Sequence, residues 1–273
     1  MNELTKRILI AIFGIPTITI LIFLGGWYFF LLIFIIGTVA QWEFYTMHKK
    51  KDIHPQIING LTGGVLILLG MQSGQWQIIG GILLLLILAM LGYEMFAHRI
   101  NAGLNIGVTL LGIIYIPLLL GLLIITRSSL DLGLAQTADA GFKFIMILLL
   151  TIWICDTFAY AFGRSFGKHK LYEKVSPNKT VEGALAGLLG AILTIFVVKS
   201  LSIFPLNWSE AVLIGLVIGV LGQMGDLVES WFKRDVGVKD SSSLLPGHGG
   251  MLDRFDSLIF LSPAVYILVS ILF

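Results

Sequence analysis

Residues 209–235 read SEAVLIGLVIGVLGQMGDLVESWFKRD. From Ala211 to Gly225 the stretch carries no charge, and it then places Asp226, Glu229, Lys233 and Arg234 within nine residues. An apolar helix of roughly 20 residues crosses a hydrocarbon core of about 30 Å. A Leu/Ile/Val run of this length favours a helix over a barrel strand, because backbone groups in lipid must be satisfied within the segment. The stretch is therefore predicted to be a membrane helix whose second half turns polar.

The same reading extends along the whole chain of 273 residues, 57% hydrophobic and 12% charged. Apolar runs recur at about 8–24, 27–46, 57–71, 75–96, 102–126, 142–163, 182–203, 209–232 and 255–273. The ends of the third run are the least well defined. The expected fold is all-α, a polytopic integral membrane protein with about nine transmembrane helices. Residues 1–140 form N-terminal transmembrane helices, and residues 141–273 a catalytic transmembrane region with a polar cavity. Lys6 and Arg7 precede the first run without a small-residue cleavage site after it, so that run is expected to be a retained anchor. The net charge of +2 gives no reason to expect a nucleic-acid partner. Cys155 is the single cysteine, which excludes an internal disulfide and a four-cysteine zinc site.

Charge sets the expected orientation. With a cytoplasmic N-terminus and nine crossings, 15 of the 18 Lys and Arg fall on the inner side, and only Arg127, Lys143 and Lys199 on the outer. That asymmetry follows the positive-inside rule. It places both long polar segments, 164–181 and 233–254, on the cytoplasmic face.

Acids inside or beside a span are costly unless paired, solvated or bound to a cation. Asp226, Glu229, Ser230 and Lys233 share one helical face at i, i+3, i+4 and i+7. A Glu229–Lys233 ion pair with Asp226 bonded to a neighbouring helix is the purely structural alternative. Asp156, Tyr160 and Arg164 make a similar stripe, for which a structural hydrogen bond competes closely with a role in a site. Asp253 and Asp256 open the last run, where helix capping is the simple explanation. Two acids in one first turn, behind Gly249-Gly250, look more like a cation site. Carboxylates with phosphate oxygens suit Mg²⁺, and the five scattered histidines argue against zinc. His248 bonds either a phosphate or a loop carbonyl.

The segment 163–183 adds Arg164, Lys168, Lys170, Lys174 and Lys179. For Lys168, Lys170 and Lys174, ordinary inner-face charge that touches anionic lipid is the favoured reading. Ser176-Pro177-Asn178-Lys179-Thr180 enters a helix that Asn178 or Thr180 can cap, and a helix N-terminus offers N–H groups to anions. Lys179 is a candidate phosphate contact there. Carboxylates, basic side chains and Gly-rich backbone at a membrane edge suggest phosphoryl or nucleotidyl chemistry on a lipid headgroup, with no indication of the nucleotide.

Ser230 to Asp256, SWFKRDVGVKDSSSLLPGHGGMLDRFD, closely resembles the signature of the phosphatidate cytidylyltransferase (CDP-diacylglycerol synthase) family. Ser230, Lys233, Arg234, Lys239, Asp240, Ser242, Pro246, His248, Gly249, Gly250, Asp253, Arg254 and Asp256 fill its fixed positions. CDTFAYAFGRSFGKHKL, SPNKTVEG and GDLVES also resemble that family, whereas the first 140 residues match only as hydrophobic spans. The resemblance implies transfer of CMP from CTP to phosphatidic acid, giving CDP-diacylglycerol and pyrophosphate in phospholipid biosynthesis. It implies Mg²⁺, with room for a second cation, on Asp226 and Asp253 with Asp256 close by, the first two meeting around one ion. Lys233 and Arg254 then belong to the catalytic set. Asn178, Lys179, Arg234, Lys239, Asp240, His248, Gly249, Gly250 and Asp156 belong to substrate binding. It also implies membrane lipids as partners, compatibility with a homodimer, and a multi-pass protein of the inner cell membrane with its active site toward the cytoplasm. Two alternatives stay open on the residues: a CTP-using relative acting on another lipid, such as a polyprenol kinase or an archaeal-type lipid cytidylyltransferase, and a cation-coupled transporter using Asp156 and Asp226.

Overall fold

A computed structural model describes residues 3–97, 99–133, 139–244 and 249–273. The helices are α1 (Glu3–Leu24), α2 (Gly26–His48), α3 (Ile57–Gln72), α4 (Trp76–Ala97), α5 (Ala102–Ile113), α6 (Leu119–Gly133), α7 (Ala140–Phe166), α8 (Val181–Ser200), α9 (Trp208–Asp235) and α10 (Leu252–Leu272). Between α7 and α8 a short hairpin pairs β1 (Lys170–Tyr172) antiparallel with β2 (Ser176–Thr180). The expected all-α polytopic fold is borne out. The hairpin is an addition within what reads in sequence as a basic loop.

Among the described residues, seven helical stretches are long and apolar enough to cross a membrane. They are Gly26–Lys51, Gln77–Ala97, Ala102–Gly133, Ala140–Phe166, Val181–Ser200, Trp208–Asp235 and Leu252–Leu272. Ile12–Leu24 and Ile57–Gln72 are shorter apolar helices. The stretch 102–133 contains a π-helical turn, Ile114–Leu118, around Pro117. Proline lacks the N–H that the α ladder needs, and the wider turn lets the chain pass it without ending the helix.

The chain forms two compact units, Met1–Ile125 with Phe232–Phe255, and Thr126–Trp231 with Asp256–Phe273. The interior of the first is built on α2, where Phe44 and Tyr45 are fully buried. Gln41 Nε2 donates to Tyr45 Oη at 2.8 Å and to Gly60 O at 2.9 Å, and Tyr45 Oη donates to Thr109 O at 2.7 Å. Lipid supplies little hydrophobic drive between helices, so satisfied polar contacts of this kind and close packing hold such bundles together. Phe232, at the start of the polar signature, packs edge-on against Phe44 and Tyr115, each ring centre 5.4 Å away.

In the second unit, small residues let α8 lie close to α7. A Cβ at Gly183 would come within 2.7 Å of Ala159 O, and one at Gly187 within 3.0 Å of Cys155 O. Larger residues would force the pair apart. Thr180, the last residue of β2, caps α8: its Oγ1 accepts from Gly183 N at 3.2 Å, which selects it over Asn178, the other cap that the sequence offers.

Candidate active site

The polar signature in the first unit is organised around two carboxylates. Asp253, in the first turn of α10, accepts from Lys233 Nζ at 2.7 Å through Oδ1. Its Oδ2 accepts from Gly250 N at 2.7 Å, Ser241 Oγ at 3.0 Å and Ser241 N at 3.1 Å. The Lys233 and Asp253 side chains are only 11% and 8% exposed. Such a pair holds only because further hydrogen bonds satisfy the carboxylate.

The second carboxylate is Glu43 of α2, which is fully buried. Oε1 accepts from Ser242 Oγ at 2.5 Å and Met251 N at 3.0 Å. Oε2 accepts from Leu252 N at 2.7 Å and Ser241 Oγ at 3.2 Å. Two of these donors are N–H groups at the start of α10, which lack partners within the helix. The positive end of the helix favours a carboxylate there.

This arrangement explains the two glycines. Gly249 has φ +77°, in the left-handed region that a side chain disfavours. A Cβ at Gly250 would stand 2.6 Å and 2.7 Å from the two Glu43 oxygens. The backbone must run bare between the carboxylates.

Lys239, Asp240 and Arg254 are exposed, and Arg234 Nη1 donates to Val238 O at 3.1 Å. Those basic groups stand near the signature loop in the chain. Pro246 and His248 lie outside the described residues.

The second unit holds an acidic cluster of its own. Lys179, on β2, places Nζ 2.7 Å from Asp226 Oδ2 on α9. Ser230 Oγ bonds Asp226 Oδ1 at 3.3 Å, one turn along the predicted face. Asp256 is buried, its Oδ1 accepts from Ser257 N at 2.6 Å, and it lies within electrostatic reach of Asp226, Lys179 and Asp156. Asp156 on α7 feels the charges of Asp226 and Lys179 in turn. Farther along α7, Arg164 Nη1 donates to Tyr160 Oη at 3.0 Å, which completes the predicted stripe. Asn178 lies exposed beside Lys179 on β2.

Three acids within electrostatic reach of one lysine leave an excess of hard oxygen donors. Among the described residues no three His, Cys, Asp or Glu form a ready-made metal cage. Mg²⁺ seldom needs one: it keeps waters and takes one or two carboxylates together with substrate phosphates. The acidic cluster fits that mode of binding.

Sequence reasoning passed over Glu43. The signal was available, since Glu43 is an acid inside an apolar helix, the same oddity that singles out Asp156 and Asp226. Another acid passed over is Glu182, in the first turn of α8, which accepts from the backbone N–H of Lys168 at 3.1 Å and from that of His169 at 3.2 Å.

Apolar helices long enough to cross a membrane and bearing lysine–carboxylate pairs are the marks of a multi-pass membrane protein. The chain belongs to the cytidylyltransferase family, whose model matches residues 5–272. It is 34% identical over 267 residues to the phosphatidate cytidylyltransferase of Staphylococcus haemolyticus (strain JCSC1435), covering 96% of this chain and 98% of that protein. It is 34% identical over 278 residues to the phosphatidate cytidylyltransferase of Bacillus subtilis (strain 168), covering 99% of each. The protein of the same name from Staphylococcus aureus (strain COL) is 32% identical over 265 residues.

Proposed function

We propose that the chain transfers CMP from CTP to phosphatidic acid, releasing pyrophosphate and leaving CDP-diacylglycerol in the membrane. The observation that carries this reading is its similarity, over nearly the full length of both chains, to relatives named for that activity. A lipid phosphate oxygen attacks the α-phosphorus of CTP, the new P–O bond forms, and the bond to pyrophosphate breaks. The nucleophile is already ionised near neutral pH, so the reaction needs no dedicated base. Positioning and electrostatics supply the acceleration.

Asp226 and Asp256 are the carboxylates of the second unit proposed to meet Mg²⁺, and Asp253 is the candidate in the first. When bound, that ion would neutralise charge on the transferred phosphoryl group and the leaving pyrophosphate. Asp226 and Asp253 each have a lysine at 2.7 Å. The carboxylate of each pair would hold an ion and its lysine a substrate phosphate. Lys179, Lys233, Arg234, Lys239 and Arg254 are the proposed phosphate contacts. The protein is read as one of the inner membrane of a bacterial cell, with these groups toward the cytoplasm, where CTP is available.

The test is an assay of the purified protein with CTP, Mg²⁺ and a panel of lipid acceptors. CDP-diacylglycerol formed from phosphatidic acid supports the proposal. Turnover only with a polyprenol or another lipid would replace it.

A further inference from the structure

We infer that Glu43 is a positioning residue for the reaction, holding Ser241, Ser242, Met251 and Leu252 so that Asp253 and Lys233 keep their places. The inference rests on the cytidylyl-transfer reading above and extends it to a residue that lies outside the polar signature.

The geometry carries it. Burying a carboxylate completely is costly unless its oxygens are well bonded. Glu43 meets that condition with four donors drawn from the two ends of one loop, Ser241 and Ser242 on one side and Met251 and Leu252 on the other. A single side chain from α2 thereby ties the loop's entry to its exit, about 200 residues later in the chain. Ser241 links the two carboxylates. Its Oγ lies 3.2 Å from Glu43 Oε2 and 3.0 Å from Asp253 Oδ2, while Asp253 Oδ1 holds Lys233. A hydroxyl has one proton and an ionised carboxylate has none, so the Ser241 proton goes to only one of the two acids at a time and its position depends on both. Loosening Glu43 removes one of the two anchors on Ser241 and frees the first N–H groups of α10. Both changes reach Asp253 directly.

A purely architectural Glu43 makes a different prediction. Its loss would then lower the yield of folded protein while leaving each folded molecule as active as before. A positioning Glu43 lowers turnover per folded molecule, because a shift of about 1 Å in a catalytic group can cost on the order of 100-fold.

The experiment compares full-length wild type with Glu43→Gln, both purified in detergent, with kcat and KM for CTP normalised to folded protein. Glutamine keeps the shape but turns an N–H₂ group toward one pair of donors. Amide hydrogen exchange is followed in parallel. The expected result is a fall in kcat of at least about tenfold, a smaller change in KM, and faster exchange confined to the 241–244 and 249–252 backbone. Glu43→Asp, which keeps the charge, should recover part of the loss. Should Glu43→Gln fail to fold, the double substitution Ser241→Ala with Ser242→Ala removes two ties, leaves the carboxylate on α10, and should lower kcat in the same direction. Wild-type kcat in Glu43→Gln, or in the double variant where that one is used, overturns the inference. An inactive wild type would instead overturn the reaction assigned to the protein.

Discussion

Lys233 and Asp253 form a buried ion pair at 2.7 Å that joins the end of α9 to the start of α10. The pair lies within the polar signature itself, so the segment that resembles a catalytic motif is also internally cross-braced. Removing one partner of a buried pair leaves an uncompensated charge and costs about 3–5 kcal/mol. Lys233→Met should therefore lower the unfolding temperature in detergent as well as activity. An unchanged melting profile would show that the pair contributes nothing to holding the loop.

Asp253→Asn and Asp226→Asn are each expected to lower turnover by about 100-fold or more while the protein still inserts into the membrane. The amide keeps an acceptor oxygen but loses the charge that a divalent cation requires. Turnover measured across a Mg²⁺ titration, with membrane insertion checked by fractionation, tests this. Near-normal activity in either variant removes that residue from the metal-binding set.

Lys179→Met separates the two roles of the lysine–carboxylate pair. The loss of a charge-assisted contact to phosphate should raise KM for CTP by about tenfold or more. Steady-state kinetics at saturating Mg²⁺ measure it, and an unaltered KM would leave Lys179 as a partner of Asp226 alone.

Lys168→Ala should change activity by no more than about fivefold, in line with the small contribution of an exposed charge. The structure gives the reason: the contact made by Lys168 to Glu182 runs through its backbone N–H. A collapse of turnover in the same assay would mean that the exposed side chain binds substrate.

Gly250→Ala introduces a methyl group between Glu43 and Ser241. Overpacking of this kind costs about 1–3 kcal/mol, and the displaced loop should lose activity as well. Thermal unfolding and turnover of the variant check both effects.

The helices were legible in sequence because a lipid environment demands long apolar runs, and the runs read from composition coincide with observed helices. The paired face of Asp226 and Ser230 and the opening of α10 near Asp253 followed from helical spacing, whereas spacing leaves the cap of α8 between Asn178 and Thr180. Glu43 was harder to read, because its partners are Ser241, Ser242, Met251 and Leu252, and no local pattern in α2 points so far along the chain. The β-hairpin was hidden for another reason. Its basic residues look like ordinary inner-face charge, and strands of three and five residues leave too short an alternation to detect.

The most direct test follows two phosphate labels of CTP through the purified protein with phosphatidic acid and Mg²⁺. Label at the α-phosphate should appear in the lipid product, and label at the γ-phosphate only in released pyrophosphate. Transfer of the γ label to lipid, or no labelled lipid from either nucleotide, would contradict the account.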